Sequence, residues 1–84
     1  MLNEIKEKSQ YVDKIRGQID KAIQKYGSYS LRLKNGVFVM ASRYKIKWDK
    51  NEPYLWILAD NWSIIVIIPM KEIKHIVEAF IEEN

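Results

Sequence analysis

The sequence has no cysteine and only one histidine, three glycines and two prolines among its 84 residues. The lack of cysteine excludes a disulfide-rich secreted scaffold and a cysteine nucleophile. His75 alone supplies too few ligands for a histidine-based metal site, and we interpret it as a solvated or edge-of-core residue. The glycines are isolated, which excludes a glycine-rich phosphate-binding loop. We therefore expect no enzyme, no cofactor and no metal.

Long hydrophobic runs are also missing. No stretch of the sequence reaches the roughly 18 apolar residues of a membrane span, and the first residues, MLNEIKEK, carry too much charge for a signal peptide. We expect a cytoplasmic protein with a single domain, residues 1–84, and no membrane partner. A chain of this length buries roughly 60–65% of its unfolded surface, so without disulfides it must pack tightly or share surface with another chain.

Charge is unevenly distributed along the chain, although the net charge is only +3. Residues 21–48 contain bases and no acids, whereas the chain from Asp49 onward has three lysines and seven acids. The bases of the middle segment are Lys21, Lys25, Arg32, Lys34, Arg43, Lys45 and Lys47. This asymmetry bears on partners, because it concentrates one sign of charge on one part of the molecule.

Apolar residues recur at helical spacing before Gly27. The residues seven apart are Ile5, Val12, Ile19 and Tyr26. They predict a long helix that Asn3 caps and Gly27 ends. Gly17 lies opposite the apolar row and predicts a bend or a break into two helices. At about 1.5 Å per residue the helix is roughly 35 Å long, and it overhangs six-residue strands of about 20 Å.

Beyond Gly27 the apolar period becomes two, which is typical of half-buried strands. Asn35-Gly36 predicts a two-residue hairpin turn that places Leu33 opposite Phe38. The second strand then continues from Val37 to about Trp48.

The second half of the chain predicts two more strands and a helix. A five-residue loop, 49–53, precedes the third strand, and Asp60-Asn61 forms a turn before the fourth, which ends at Pro69. The buried stripe of a C-terminal helix comprises Ile73, Ile76, Val77, Phe80 and Ile81. The predicted fold is therefore α+β, with a long N-terminal helix, a four-stranded antiparallel β-meander and a C-terminal helix.

These turns assign the two faces of the predicted sheet. The predicted main core contains Tyr29, Leu31, Leu33, Phe38, Met40, Tyr44, Ile46, Trp48, Tyr54, Trp56, Leu58, Ile65 and Ile67. The opposite face has a basic half, with Arg32, Lys34, Arg43, Lys45 and Lys47, and an apolar half, with Leu55, Ile57, Trp62, Ile64, Val66 and Ile68. A one-residue change in the register of the 49–53 loop would exchange the faces beyond it, because side chains alternate along a strand.

The basic half has three interpretations. It is a solvated face that discourages aggregation, a surface for nucleic acid, or a surface for an acidic protein. Sheets that bind single-stranded nucleic acid add exposed aromatic side chains, and the predicted registers leave only Trp62 on the basic side, which favours protein contact. The candidate partner-binding residues are Arg32, Lys34, Arg43, Lys45, Lys47 and Trp62.

The predicted fourth strand is apolar on both faces from Ile64 to Ile68. Such a strand aggregates when it is an uncovered edge. Three arrangements would cover it: the C-terminal helix folds over it, the first strand closes onto it as a small barrel, or it pairs with another chain. The overhanging helix supports the last arrangement, and we expect a homodimer.

We expect a small non-enzymatic regulatory or inhibitory module that acts by protein–protein contact on an acidic surface. The alternative is a nucleic-acid-binding protein that uses the basic face of the 28–48 hairpin. Isoleucine, lysine and asparagine are abundant, which is typical of proteins from AT-rich genomes, including those of phages and mobile elements.

Overall fold

The structure, a computed structural model, describes residues 2–77 and contains one α-helix, a 3₁₀ helix and six strands in that range. The helices are α1 (Leu2–Tyr26) and the 3₁₀ helix (Met70–Glu72). The strands are β1 (Tyr29–Leu33), β2 (Phe38–Ala41), β3 (Arg43–Asp49), β4 (Glu52–Leu58), β5 (Ile64–Pro69) and β6 (Ile73–Val77). They form two three-stranded antiparallel sheets, ordered β2-β1-β6 and β3-β4-β5. The α+β class is confirmed, and the single four-stranded meander is wrong.

Helix α1 begins at Leu2 and continues through Gly17, so the predicted break does not occur. Asn3 lies inside the helix and not at its cap. Gly27 ends the helix as predicted, with a φ of +79° and its N–H donating to the carbonyl of Ile23 at 2.7 Å. In residues 2–77, no helix has the length and apolar character needed to cross a membrane.

The predicted C-terminal helix is wrong over the described residues. After Pro69 the chain makes the 3₁₀ helix and then β6, which pairs with β1. Ile73 lies opposite Leu33, but Ile76 lies opposite Leu31, because a register shift adds one residue to β6 between these pairs. Two buried isoleucines three residues apart therefore share a strand face, a spacing that resembles helical periodicity. The predicted Phe80 and Ile81 lie outside the described residues.

The predicted second strand is divided at Ser42 into β2 and β3, which belong to different sheets. The hydroxyl of Tyr29 donates to the backbone oxygen of Arg43 at 2.9 Å, just after the division. The rings of Tyr29 and Tyr44 meet edge to face at 6.0 Å. These contacts anchor the start of β3 to β1, so the chain passes from one sheet to the other at this point.

The Asn35-Gly36 turn is present, but its loop has three residues instead of two. The N–H of Leu33 donates to the oxygen of Val37 at 2.8 Å, which makes these residues the last pair. The pairing therefore shifts by one residue, and the shift turns Phe38 and Met40 outward. Both residues were predicted in the core, and they are 41% and 50% exposed.

The loop between β3 and β4 has two residues instead of five. Lys50 and Asn51 both have positive φ, at +50° and +66°, as a type I′ turn requires. Trp48 consequently pairs with Pro53 and not with Tyr54, and the two faces exchange beyond the turn. The residues that become buried are Leu55, Ile57 and Ile68. The predicted core residues that this exchange exposes are Ile65 and Ile67. Trp48, which precedes the turn, was also predicted in the core and is 42% exposed near the end of β3.

The core lies between α1 and the two sheets. Its fully or nearly buried members include Val12, Ile15 and Ile19 from α1, Tyr29, Leu31 and Leu33 from β1, Leu55 and Ile57 from β4, and Ile68, Met70, Ile73 and Ile76. The predictions for Val12, Ile19 and the three β1 residues are confirmed. Both sheets therefore depend on one helix face for their burial.

Polar contacts also hold α1 against the sheets. The ammonium of Lys8 lies 3.1 Å from a carboxylate oxygen of Glu52, and the hydroxyl of Tyr11 donates to Met70 at 3.2 Å. The hydroxyl of Tyr44 donates to the carboxylate of Asp20. Desolvation, with the Asp20 contact as a further cause, raises the pKa of Tyr44.

Candidate functional site

The sheet β3-β4-β5 has one face that lies outside the core cluster, and we call it the outer face. One of its residues, Leu58, is nevertheless buried, with 2% exposure, as the sequence predicted. Residues paired directly across antiparallel strands project from the same face. Three cross-strand rows define it: Arg43, Leu58 and Ile64; Lys45, Trp56 and Ile67; and Lys47, Tyr54 and Pro69. Each row begins with a cation on β3 and ends with an apolar residue on β5.

The cations of the outer face contact tryptophan rings. The ammonium of Lys47 lies 4.3 Å from the ring centre of Trp56, and the guanidinium of Arg43 lies 4.4 Å from that of Trp62. Lys45 lies 5.9 Å from the Trp62 ring. Within residues 2–77, none of these three cations is in an ion pair with a carboxylate. Their charge is therefore available to an anionic ligand, while their side chains are oriented by the rings.

Trp62 belongs to the turn between β4 and β5, and it is 54% exposed. Its N–H donates to the oxygen of Ala59 at 2.9 Å, and the N–H of Ala59 donates to the oxygen of Ser63 at the same distance. Trp62 has a φ of +70°, which is rare for a bulky side chain. The predicted Asp60-Asn61 turn is thus present, with Trp62 as a third loop residue.

The β5 side of the outer face is apolar. Ile64, Ile65 and Ile67 are 53%, 52% and 41% exposed. A register shift lies opposite Leu58, so Ile65 is an extra residue in β5. β1 pairs with β2 and β6, and residues 70–77 form no α-helix over β5. The two covers within the chain that the sequence suggested are therefore absent among the described residues.

The structure brings together four of the six residues proposed from the sequence: Arg43, Lys45, Lys47 and Trp62. Arg32 lies on the other sheet, where it donates to the oxygen of Gly36 at 2.9 Å. Lys34 lies in the turn after β1, and its N–H donates to the oxygen of Glu72 at 2.9 Å. The predicted basic face is thus divided between the two sheets.

Two aromatic residues of the outer face, Tyr54 and Trp56, were missed. The five-residue loop assumed for 49–53 placed them in the core, whereas the two-residue turn places them opposite Lys47 and Lys45. The signal was Asn51, because asparagine tolerates the left-handed conformation that a tight turn needs.

The other candidate sites are weaker. A groove of about 580 Å³ beside α1 mixes both signs of charge, with Glu4, Glu7, Lys34, Lys71 and Lys74 among its lining residues. His75 is exposed on β6, opposite Arg32. In the described part of the chain, no three His, Asp or Glu side chains are grouped to hold a metal ion.

No protein-family model matches the sequence, and comparisons with curated proteins and with solved structures find no match. The outer face is therefore the feature of the molecule from which a function can be inferred.

Proposed function

We propose that the protein is a non-enzymatic binding protein that takes single-stranded nucleic acid on the outer face. The observation that carries the proposal is the pairing of Lys47 with Trp56 and of Arg43 with Trp62 at 4.3 and 4.4 Å. Aromatic rings stack on unpaired bases, and neighbouring cations neutralise phosphates. Accessible aromatic rings beside the cations favour nucleic acid over protein as the ligand. Trp62 is 54% exposed, and the half-buried rings of Tyr54 and Trp56 join it on the outer face.

The spacing of the cations supports the same ligand. Arg43, Lys45 and Lys47 are alternate residues of β3, so they repeat at about 6.8 Å along the strand. This repeat is similar to the distance between successive phosphates of an extended single strand. A strand lying along β3 would therefore place its phosphates over the cations and its bases toward Trp56 and Trp62.

The test is a titration of fluorescently labelled oligothymidylate and of mixed-sequence RNA, followed by anisotropy at several salt concentrations. We expect affinity to fall with salt at a log–log slope of about 0.7 for each phosphate contact. The double variant with Lys45→Glu and Lys47→Glu should not bind. Its thermal midpoint should change little, because exposed charges contribute little to stability.

The matched control is Lys71→Glu with Lys74→Glu, which makes the same change of net charge at two exposed lysines outside the outer face. This variant should bind as the native protein does, apart from a small loss from the lower overall charge. Equal losses in the two variants would show that binding depends on net charge and not on the outer face. Native protein that binds neither oligonucleotide at low salt would contradict the proposed function.

A second candidate function, regulatory or inhibitory contact with an acidic protein, is favoured by a different observation. Ile64, Ile65 and Ile67 form an exposed apolar strip beside the cations. Protein interfaces commonly have an apolar centre and a charged rim. In this case Lys45→Glu with Lys47→Glu would remove a protein partner, while native protein would not bind oligonucleotide at physiological salt. The same apolar strip would also be the surface through which two copies of the chain associate as a homodimer.

A further inference from the structure

Two turns of the molecule have the same hydrogen-bonding pattern. In the turn after β1, Gly36 donates to Leu33 at 2.9 Å, and Leu33 donates to Val37 at 2.8 Å. In the turn after β4, Trp62 donates to Ala59, and Ala59 donates to Ser63, both at 2.9 Å. An asparagine side chain, Asn35 or Asn61, accepts from the second-next backbone N–H in each turn. The turns therefore provide an internal comparison of the same backbone with different residues.

The residue in the left-handed position differs between these turns. Gly36 has a φ of +91° and Trp62 has a φ of +70°. Glycine adopts this conformation without steric cost, whereas a residue with a Cβ is strained there. Trp62 contributes no buried surface to the core that would explain the strain, since it is more than half exposed. Strain at an exposed aromatic residue points to a binding role.

The turn is built to hold Trp62 in one position. The N–H at Nε of Arg43 donates to the oxygen of Asp60 at 2.9 Å, while its guanidinium lies over the Trp62 ring. The hydroxyl of Ser42 donates to the carboxylate of Asp60. The turn is thus fastened to the start of β3, and the Trp62 ring lies against the Arg43 guanidinium. This contact restricts the ring before any ligand binds, which lowers the entropic cost of binding.

We infer that Trp62 is a preformed stacking platform for an unpaired base, with Arg43 behind the ring to contact the neighbouring phosphate. This inference rests on the proposed function, and it adds that the ligand must offer an unstacked base next to a phosphate. A duplex cannot do so without unpairing, so single strands bind more tightly than a duplex of the same length.

The first test concerns stability alone. Trp62→Gly relieves the left-handed strain, and we expect its thermal midpoint to rise by roughly 4 °C. Gly36→Ala, the matched change in the other turn, should lower the midpoint. A midpoint of Trp62→Gly below that of the native protein would show that the ring stabilises the fold and would overturn the inference.

The second test measures the affinity for oligothymidylate. Trp62→Gly and Trp62→Ala should each weaken binding roughly tenfold or more, and Trp62→Phe should keep most of the affinity, because a ring remains. The salt slope should not change in these variants, since no cation is removed. If native protein binds and Trp62→Gly binds equally well, the inference fails while the proposed function stands. If native protein does not bind, the proposed function is contradicted, and the inference that rests on it is contradicted as well.

Discussion

The two edge strands of the sheet β3-β4-β5 carry opposite surfaces, although both pair with β4. On the outer face β3 presents Arg43, Lys45 and Lys47, whereas β5 presents exposed isoleucines. Charged side chains on an edge strand prevent it from pairing with other strands, and apolar ones do not. The side chains of β3 therefore disfavour strand addition, whereas β5 is an apolar edge that no other strand of residues 2–77 covers.

β4 joins these two surfaces through its own outward side chains. Trp56 lies between Lys45 and Ile67, so the middle row changes from charged through aromatic to aliphatic within three strands. Neighbouring strands are about 4.8 Å apart, and the change occurs over roughly 10 Å. The proposed nucleic-acid site over β3 and β4 and the proposed protein contact at β5 are therefore adjacent on one sheet, and variants of each strand can test them separately.

The largest expected effect tests which face of the sheet is buried. Ile57 is fully buried, whereas Ile67 on β5 is 41% exposed. Ile57→Ala should lower the free energy of unfolding by about 2–5 kcal/mol, and Ile67→Ala by less than about 1 kcal/mol. Urea denaturation of the two variants measures the difference. Similar losses would mean that Ile67 belongs to the core and that the outer face is wrongly assigned.

The next effect concerns the open edge. We expect native protein at micromolar concentration to be a dimer or larger, and Ile65→Lys with Ile67→Lys to have the mass of one 10.0 kDa chain. From the sequence alone these changes would also disturb folding, but both side chains are exposed, so the thermal midpoint of the variant monomer should stay close to the native value. Light scattering measures the mass. A native mass of one chain over this range would contradict self-association.

The control for that experiment comes from β3. Lys45→Gln with Lys47→Gln removes two charges from the other edge, and it should not reduce the association, because charge on β3 disfavours strand pairing. Loss of association in this variant would mean that the two edges act together and that their separation is wrong.

The sequence predicted the elements of the first half better than their pairing. Gly27 ends α1 and the alternation of Tyr29, Leu31 and Leu33 defines β1, because both signals are local. The registers depend on whether a loop has two, three or five residues, and a one-residue error reverses a whole strand. The hairpin after β1 and the loop 49–53 both contain this error.

For the candidate site, too, the features with local signals were predicted and those that depend on strand register were not. The sequence correctly grouped three cations, Arg43, Lys45 and Lys47, because they are alternate residues of one strand. Alternate residues share a face whatever the register with the neighbouring strand. Trp56 was missed because its face depends on the turn at Lys50 and Asn51. β6 was mistaken for a helix because an extra residue spaces Ile73 and Ile76 like a helical pair. The bulge depends on tertiary packing, which a single sequence does not reveal, whereas the tight turn had a local signal in Asn51.

The smallest expected effect comes from the inner side of β3, where Tyr44 faces α1. Desolvation, and then the contact with Asp20, raises the pKa of Tyr44 above the value of 10.0 for a free tyrosine. The unfolded chain therefore loses this proton at a lower pH than the folded protein does. The stabilisation is complete below pH 10 and is lost as pH rises from 10 toward the folded value.

Tyr44→Phe removes this titration. Between pH 9 and pH 11 the urea concentration at the unfolding midpoint should therefore fall less for Tyr44→Phe than for the native protein. The two decreases should differ by roughly a few tenths of a molar. Asp20→Asn removes the carboxylate but leaves the burial, and its pH dependence should lie between the two. Tyr29 is also desolvated and has a raised pKa, so part of the alkaline loss remains in both variants. Equal pH dependence in native protein and Tyr44→Phe would mean that Tyr44 is solvated and that β3 is not anchored to α1 at Asp20.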